Sequence, residues 1–531
     1  MNENASAPAR INRRAPVYAR NIVATSQPLA AQAGIQALKD GGNAVDAALA
    51  TAITLTVVEP SGNGLGSDVF AIVWDGKQLH GLNASGRSPL GWAADRFAAF
   101  EKMPKHGWES VTVPGAVSAW RDLSAKFGKL PFPRLFDAAI DYAKNGFPVS
   151  PAVAERWADD ARVLGDQPGF REGFLSLGRP PHTGEVFRNE NLARSLAAIA
   201  ESNGDAFYHG ELARKIASFA RQHNAALTEE DLAEHTNEWC GTISTPFAGT
   251  DVHEIPPNGQ GIAALIALGI LAHTEIADTG PDSVSGVHLQ IEAMKLAFAD
   301  AHAYVADPAT MDVRPQQLLD PDYLKGRAAL IDRGKAKHFQ AGAPTQGGTV
   351  YLSTGDENGM MVSFIQSNYS GFGSGIVIPG TGIHMQNRGS GFSLDPKHPN
   401  FVAPRKRPFH TIIPAFVTKE GHPLMSFGVM GGPMQAQGHV QIVLRTELFG
   451  QDPQSASDAA RWRYVSDYDI AVESHMDART IQGLEALGHR IKVSAPDAVY
   501  GFGGAQLVRR MDSGCYVAGS DHRKDGLAIG F

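Results

Sequence analysis

The 531-residue sequence predicts a layered α/β fold, a mixed sheet core flanked by helices. Three observations predict it. A chain this long exceeds one ordinary compact core, so it forms either two sub-domains or one large layered domain. Its 43% hydrophobic and 19% charged residues are those of a globular protein. Runs with apolar residues three and four apart dominate from about residue 108 to 330, and short alternating β-rich runs dominate after about 341.

Along the chain, residues 26–50 contain two helical patterns. The first stops at Gly41–Gly42, a helix-ending pair, and the second starts behind Asn43, a good N-cap. A glycine-rich loop, EPSGNGLGSD, follows, and then a hairpin, VFAIVWDGKQLHGLN, turning at Asp75–Gly76. The long middle stretch reads as mostly helical, with a further helix start at Thr228 in LTEEDLAEH. The segment RGKAKHFQAGAPTQGG reads as a polar, flexible linker accessible to cutting. Beyond it TVYLST, MMVSFIQS, TIIPAFVT and HPLMSFGVM read as strands. GHVQIVLRTELFG and SASDAARWRY read as a last helix pair.

Several function classes are disfavoured. A net charge of -8 without a Lys/Arg-rich run argues against nucleic acid or an anionic membrane as partner. Cys240 and Cys515 read as ordinary small core residues, and no metal-type Cys/His spacing occurs. Asp521–His522 in GSDHRKDG reads as a hydrogen-bonded loop rather than a metal site, so neither metal nor cofactor is expected. The start of the sequence lacks an apolar signal region, and AVDAALATAITLTVV is too short and polar to span a bilayer. The expectation is a cytoplasmic protein.

One stretch carries chemistry: PTQGGTVYLSTGDENGMMVSFIQSNYSGFGSG. Thr349 opens a strand directly after Gly347 and Gly348. Cleavage by a neighbouring hydroxyl needs a twisted scissile carbonyl, which glycine tolerates best. Folding TVYLST and MMVSFIQS about GDENG brings Ser367 opposite or diagonal to Thr349. Gly431 and Gly432 in GVMGGPM can offer two backbone N–H groups to an oxyanion. A threonine hydroxyl needs a base. A chain cut before Thr349 supplies one on the same residue, an α-amine of pKa roughly 7.7–8.0.

GGNAVDAALATAITLTVVEPSGNGLGSD, TVPGAVSAW, GDAFYHGELARKIA, LTEEDLAEH, EIPPNGQGI, EAMKLAFADAHAYVADP, RPFHTIIPAF and FGVMGGPMQAQGH occur in this order. From about residue 20 to 527 the chain resembles the γ-glutamyltranspeptidase family of self-processing N-terminal-nucleophile hydrolases. The resemblance implies a four-layer αββα sandwich and autocleavage between Gly348 and Thr349. The products would be a large subunit, 1–348, whose tail to about residue 19 lies outside the resemblance, and a small subunit, 349–531. These stay associated, and a dimer of such heterodimers is compatible with the family. Thr349 matches the nucleophile, Ser367 the second hydroxyl (a threonine in the family), and Gly431 and Gly432 the oxyanion pair.

The substrate-binding positions depart from the family. Its arginine for the substrate α-carboxylate falls on Ser85 in NASGRSP, with Arg87 displaced by two. Its Asn–Gln–Asp set for the amino-acid head falls on Tyr369, Arg388 and Gly391, and its serine pair on His410 and Thr411. The acid that would hold an α-ammonium is absent there, whereas Arg388 suits a carboxylate. The pattern is closer to the oxamate amidohydrolase and acylase-like branch. It implies a threonine amidohydrolase acting on a small carboxylate-bearing amide and releasing ammonia from a primary amide. The alternatives are a γ-glutamyl (glutathione) hydrolase or transferase, a glutaryl- or cephalosporin-type acylase, and an unprocessed binding protein of the same fold.

Overall fold

The computed structural model describes residues 14–339, 348–494 and 501–531. Gly347 and half of the expected linker, residues 340–347, lie outside them. Among the described residues two seven-stranded sheets face each other. One runs, edge to edge, through Leu527–Gly530, Ile22–Thr25, Gly348–Gly355, Met361–Tyr369, Asp68–Trp74, Leu79–Ala84 and Glu238–Trp239. The other runs through Val17–Ala19, Tyr516–Ser520, Gly504–Arg510, His422–Met430, Ala415–Lys419, Thr250–Glu254 and Ile243–Phe247. Phe70, Tyr351, Ile365, Phe416 and Met430 pack between them, all fully buried. Each such side chain contributes roughly 1.5–3 kcal/mol of burial.

Helices cover both outer faces, giving four layers. Pro28–Lys39 and Ala44–Val58 cover the first sheet. Gly261–Leu271 and Met434–Val443 cover the second, with Val284–Tyr304 packed against them. The Ala44–Val58 helix starts where the sequence places it. The Asn43 side chain accepts from the Val45 and Asp46 amides, and Asp46 returns a bond to the Asn43 amide. Asp46, which breaks the apolar run in the sequence, is therefore the capping-box partner of the Asn43 cap. No described helix is long and apolar enough to cross a membrane.

Three readings are corrected. The core sheets are antiparallel, not mixed; parallel pairing occurs in a small separate sheet, between Asp469–Glu473 and Arg490–Ser494. The stretch read as mostly helical contains Ile243–Phe247 and Thr250–Glu254, short strands with alternating burial joined at Ala248–Gly249, too brief to outweigh the helices around them. In SASDAARWRY the helix ends at Asp458, and Trp462–Ser466 is a strand because Trp462 and Tyr464 bury the same face. Cys240 and Cys515 are both free and only partly buried.

Candidate active site

Thr349 is fully buried on the central strand Gly348–Gly355. Its antiparallel neighbour, Met361–Tyr369, pairs Gly348 with Tyr369 and Val350 with Gln366, so Ser367 and Asn368 together face Thr349. This bulge re-aims side chains at the strand end. It brings the Thr349 hydroxyl to 3.3 Å from Ser367 Oγ, which also accepts the Tyr369 amide at 2.7 Å. Tyr369 is held at φ +82°, a region that a residue with a Cβ occupies at a cost of order 1–3 kcal/mol.

The other approach to Thr349 comes from the second sheet. The His422–Met430 strand ends at Gly431 (φ +118°) and Gly432 (φ +59°), conformations that favour glycine. The Met434–Val443 helix begins two residues later. In its first turn Gln435 donates to Thr349 Oγ1 at 3.4 Å and accepts the Ile413 amide at 3.0 Å. Gln260 donates to the carbonyls of Gly432 (2.9 Å) and Thr411 (2.6 Å), fixing the turn. Further along, His439 accepts the Val429 amide through Nε2 and so donates through Nδ1 to Glu254, 2.6 Å away. Burial raises the Glu254 carboxyl well above its ordinary range and lowers His439 to about 3, so this helix anchor is a neutral pair. Gln435, Gln260 and Glu254 were missed from sequence. Gln435 and Gln260 sit inside recognisable segments, GGPMQAQGH and NGQGI, and a buried amide beside a glycine pair is the signal that could have found them.

A cleft of about 330 Å³ opens beside this turn, lined by Tyr369, Arg388, Gly391, Thr411 and Pro433 and by the apolar walls of Phe392 and Phe409. Arg388 is 1% exposed. Its Nη1 donates to Thr411 Oγ1 at 2.8 Å and its guanidinium lies 4.9 Å from the centre of the Tyr369 ring, while Nε and Nη2 have no hydrogen-bond partner. Burial lowers its pKa to about 10, against the attraction of Asp68 and Tyr369. Behind it His410 is completely buried, 4.8 Å from the Phe70 ring centre, with Nε2 3.1 Å from Asp68 Oδ2. Burial lowers the His410 pKa well below the ordinary value, and Arg388 and Arg407 lower it further.

Tyr369, Arg388, Gly391 and Thr411 thus line one cleft, with His410 behind them, while Thr349, Ser367 and the Gly431–Gly432 turn lie buried beside it, joined to its wall through Tyr369 and Pro433. It does not bring Ser85 or Arg87 there. Ser85 is sealed in a buried network with Asn83 (2.7 Å) and Asn258 (3.3 Å). Arg87 pairs with Asp307 at 3.1 Å, is 46% exposed, and lines a different cavity with Glu234 and His235. Asp68 amends the sequence reading of a site without an acid. It lies directly behind Arg388 and His410, but it does not line the cleft.

For metals, the described residues offer one cluster, His288, Glu292 and His489. Glu292 already holds the Lys295 ammonium at 2.7 Å and the Lys337 amide at 3.0 Å, so the cluster is a hydrogen-bonded seam. In GSDHRKDG, Asp521 accepts from Arg461 at 2.7 Å and His522 bonds Asp458 at 2.9 Å.

This four-layer sandwich is that of the N-terminal-nucleophile hydrolases. Residues 30–531 match the model of the Gamma-glutamyltranspeptidase family, and the chain belongs to that family. It is 36% identical to the glutathione hydrolase-like YwrD proenzyme of Bacillus subtilis, over 96% of this chain and 98% of the relative. It is 35% identical to the oxamate amidohydrolase proenzyme of Klebsiella pneumoniae, over 95% and 97%. Among solved structures, cephalosporin acylase from Bacillus halodurans superposes with a TM-score of 0.94 at 46% identity, covering 100% of this chain and 99% of its own.

Because Ser367 Oγ links the Thr349 hydroxyl to the Tyr369 amide, Ser367→Ala is expected to slow processing about 10²-fold or more. Ser367→Thr, which keeps the hydroxyl, should process close to the native rate. A denaturing-gel time course of freshly made protein checks both.

Proposed function

We propose that the chain is a self-processing threonine amidohydrolase whose substrate is a small amide bearing a carboxylate. Thr349 Oγ attacks the Gly348 carbonyl carbon, the peptide nitrogen takes the proton and leaves as the Thr349 amine, and water hydrolyses the ester. The products are 1–348 and 349–531, held together by their shared sheets. In turnover the same oxygen attacks the substrate carbonyl, the freed amine takes its proton and passes it to the leaving nitrogen, and the Gly431–Gly432 amides steady the oxyanion. Water then releases the acid and restores Thr349.

The observation that carries the substrate class is Arg388, a buried guanidinium with Nε and Nη2 unpartnered beside the cleft. A carboxylate would accept from that edge in the bidentate manner arginine favours. An α-ammonium finds no such partner, because the oxygens of Asp68 are held by His410 and by the Gly86 and Gly115 amides. The names of the relatives support amide hydrolysis and differ in the acyl group. The test is intact mass of the purified protein followed by turnover of oxamate, a glutaryl amide and a γ-glutamyl anilide. Two masses summing to the precursor plus one water, with the first two substrates preferred, are expected. A γ-glutamyl preference would refute the charge argument.

Gly431→Ala is expected to lower kcat about 10²- to 10³-fold with little change in KM, the loss typical of a displaced oxyanion donor. A Cβ there would stand 3.1 Å from Gly503 Cα at an unfavourable φ, shifting the turn. Steady-state kinetics on a fully processed sample measures it.

A further inference from the structure

Asp68 is a fully buried carboxylate at the end of the Asp68–Trp74 strand, directly across from Ser367. Its Oδ1 accepts the amides of Gly86 (3.3 Å) and Gly115 (3.1 Å), and its Oδ2 accepts His410 Nε2–H (3.1 Å). The other imidazole nitrogen, Nδ1, accepts the Ile412 amide at 3.4 Å, which fixes His410 as the neutral tautomer with the proton on Nε2. Thr411, the residue between, receives Arg388 Nη1. One short segment, 410–412, therefore joins Asp68 to the arginine of the cleft.

A guanidinium buried with two unpartnered donors is costly unless a negative charge lies near. Asp68 is the acid whose attraction acts on Arg388. From the reading of Arg388 as the carboxylate anchor, we infer that Asp68 is the resident counter-charge of the empty cleft, acting on the anchor from behind through His410 and setting its affinity for an incoming carboxylate by the proton it holds or releases. With Asp68 ionised, the guanidinium is already balanced and a substrate carboxylate would become a second anion on one cation. With Asp68 protonated, the guanidinium is unbalanced and draws the carboxylate strongly. Substrate binding and proton uptake at Asp68 are therefore coupled.

The charged and titratable groups acting here are His410, Arg388, Arg407, Tyr208 and, in the processed enzyme, the Thr349 α-amine, which lies beside Ser367, the strand partner of Asp68. His410 stays neutral for the reasons given, and Tyr208, fully buried, is raised out of the working range. Burial pushes the Asp68 carboxyl up to about 7, with Arg388, the two amides and Arg407 pulling the other way, so its proton is exchangeable near neutrality.

The test uses processed enzyme and malonate, a dicarboxylate with no amide to cleave. Calorimetry at pH about 6, 7 and 8, in buffers of different ionisation enthalpy, reads affinity and protons together. The expected result is net proton uptake near pH 7 and an affinity falling about fivefold from pH 6 to 8, as a one-unit displacement of one titration near neutrality gives. Malonamide, uncharged, should show neither effect. Asp68→Asn should bind malonate with the Asp68 share of the uptake and of the pH slope gone, leaving only what the Thr349 amine contributes. In the wild type, binding without uptake overturns the role of Asp68, as does the same uptake in Asp68→Asn. Malonate binding unchanged by Arg388→Met overturns the anchor reading itself.

Discussion

Thr349→Ala is expected to yield one uncut polypeptide of 531 residues and to abolish amide turnover. The loss in kcat should be on the order of a millionfold, as when a nucleophile acting in concert with its base is removed. Two functions disappear together, because the residue supplies the attacking oxygen and, once freed, the amine that takes its proton. The variant should fold normally. Thr349 is buried beside Ser367 and Gln435, and loss of one hydroxyl and one methyl group leaves the strand pairing intact. Intact mass spectrometry and circular dichroism check both halves. Cleavage of the alanine variant at the same bond would remove the hydroxyl from the processing step.

The second large effect is expected from Arg388→Met. Truncating a buried charged partner costs roughly 2–5 kcal/mol, which corresponds to KM rising by about 30-fold to several thousandfold for carboxylate-bearing amides. Methionine fills the space and its chain still packs on Tyr369, so kcat for an uncharged amide of similar size should change little. The discrimination between the two substrates is the readout. Equal losses on both would mean that Arg388 shapes the cleft and does not bind the acid.

Much of this arrangement is legible in the sequence because it is local. Thr349 and Ser367 lie on two strands joined by the GDENG turn, so period-two alternation and a short connection nearly fix their approach. The bulge that makes the contact was not foreseen, since its cause is the Gly62 carbonyl holding the Asn368 amide, a contact 306 positions apart in the chain numbering (368 less 62). Asp68 escaped for the same reason: its bond to His410 spans 342 positions. A single acid ending a glycine-rich loop has many ordinary roles, and only the sheet pairing sets it behind Arg388. Arg87 shows the converse. Sequence proximity to Ser85 suggested the cleft, but its side chain turns outward to Asp307. Local alternation cannot report which side of a loop a long side chain takes.

The strand order has a consequence for the mature protein. In the first sheet, Ile22–Thr25 lies between Leu527–Gly530 and Gly348–Gly355; in the second, Thr250–Glu254 pairs with Ala415–Lys419. Strands from either side of the proposed cut are thus interleaved like the fingers of clasped hands. Once the bond is broken, the fragments separate only by tearing both sheets, and renaturation changes from a first-order event to a meeting of two molecules. The precursor should recover from urea at a rate independent of dilution, while the clipped enzyme should recover poorly, and less the more dilute it is.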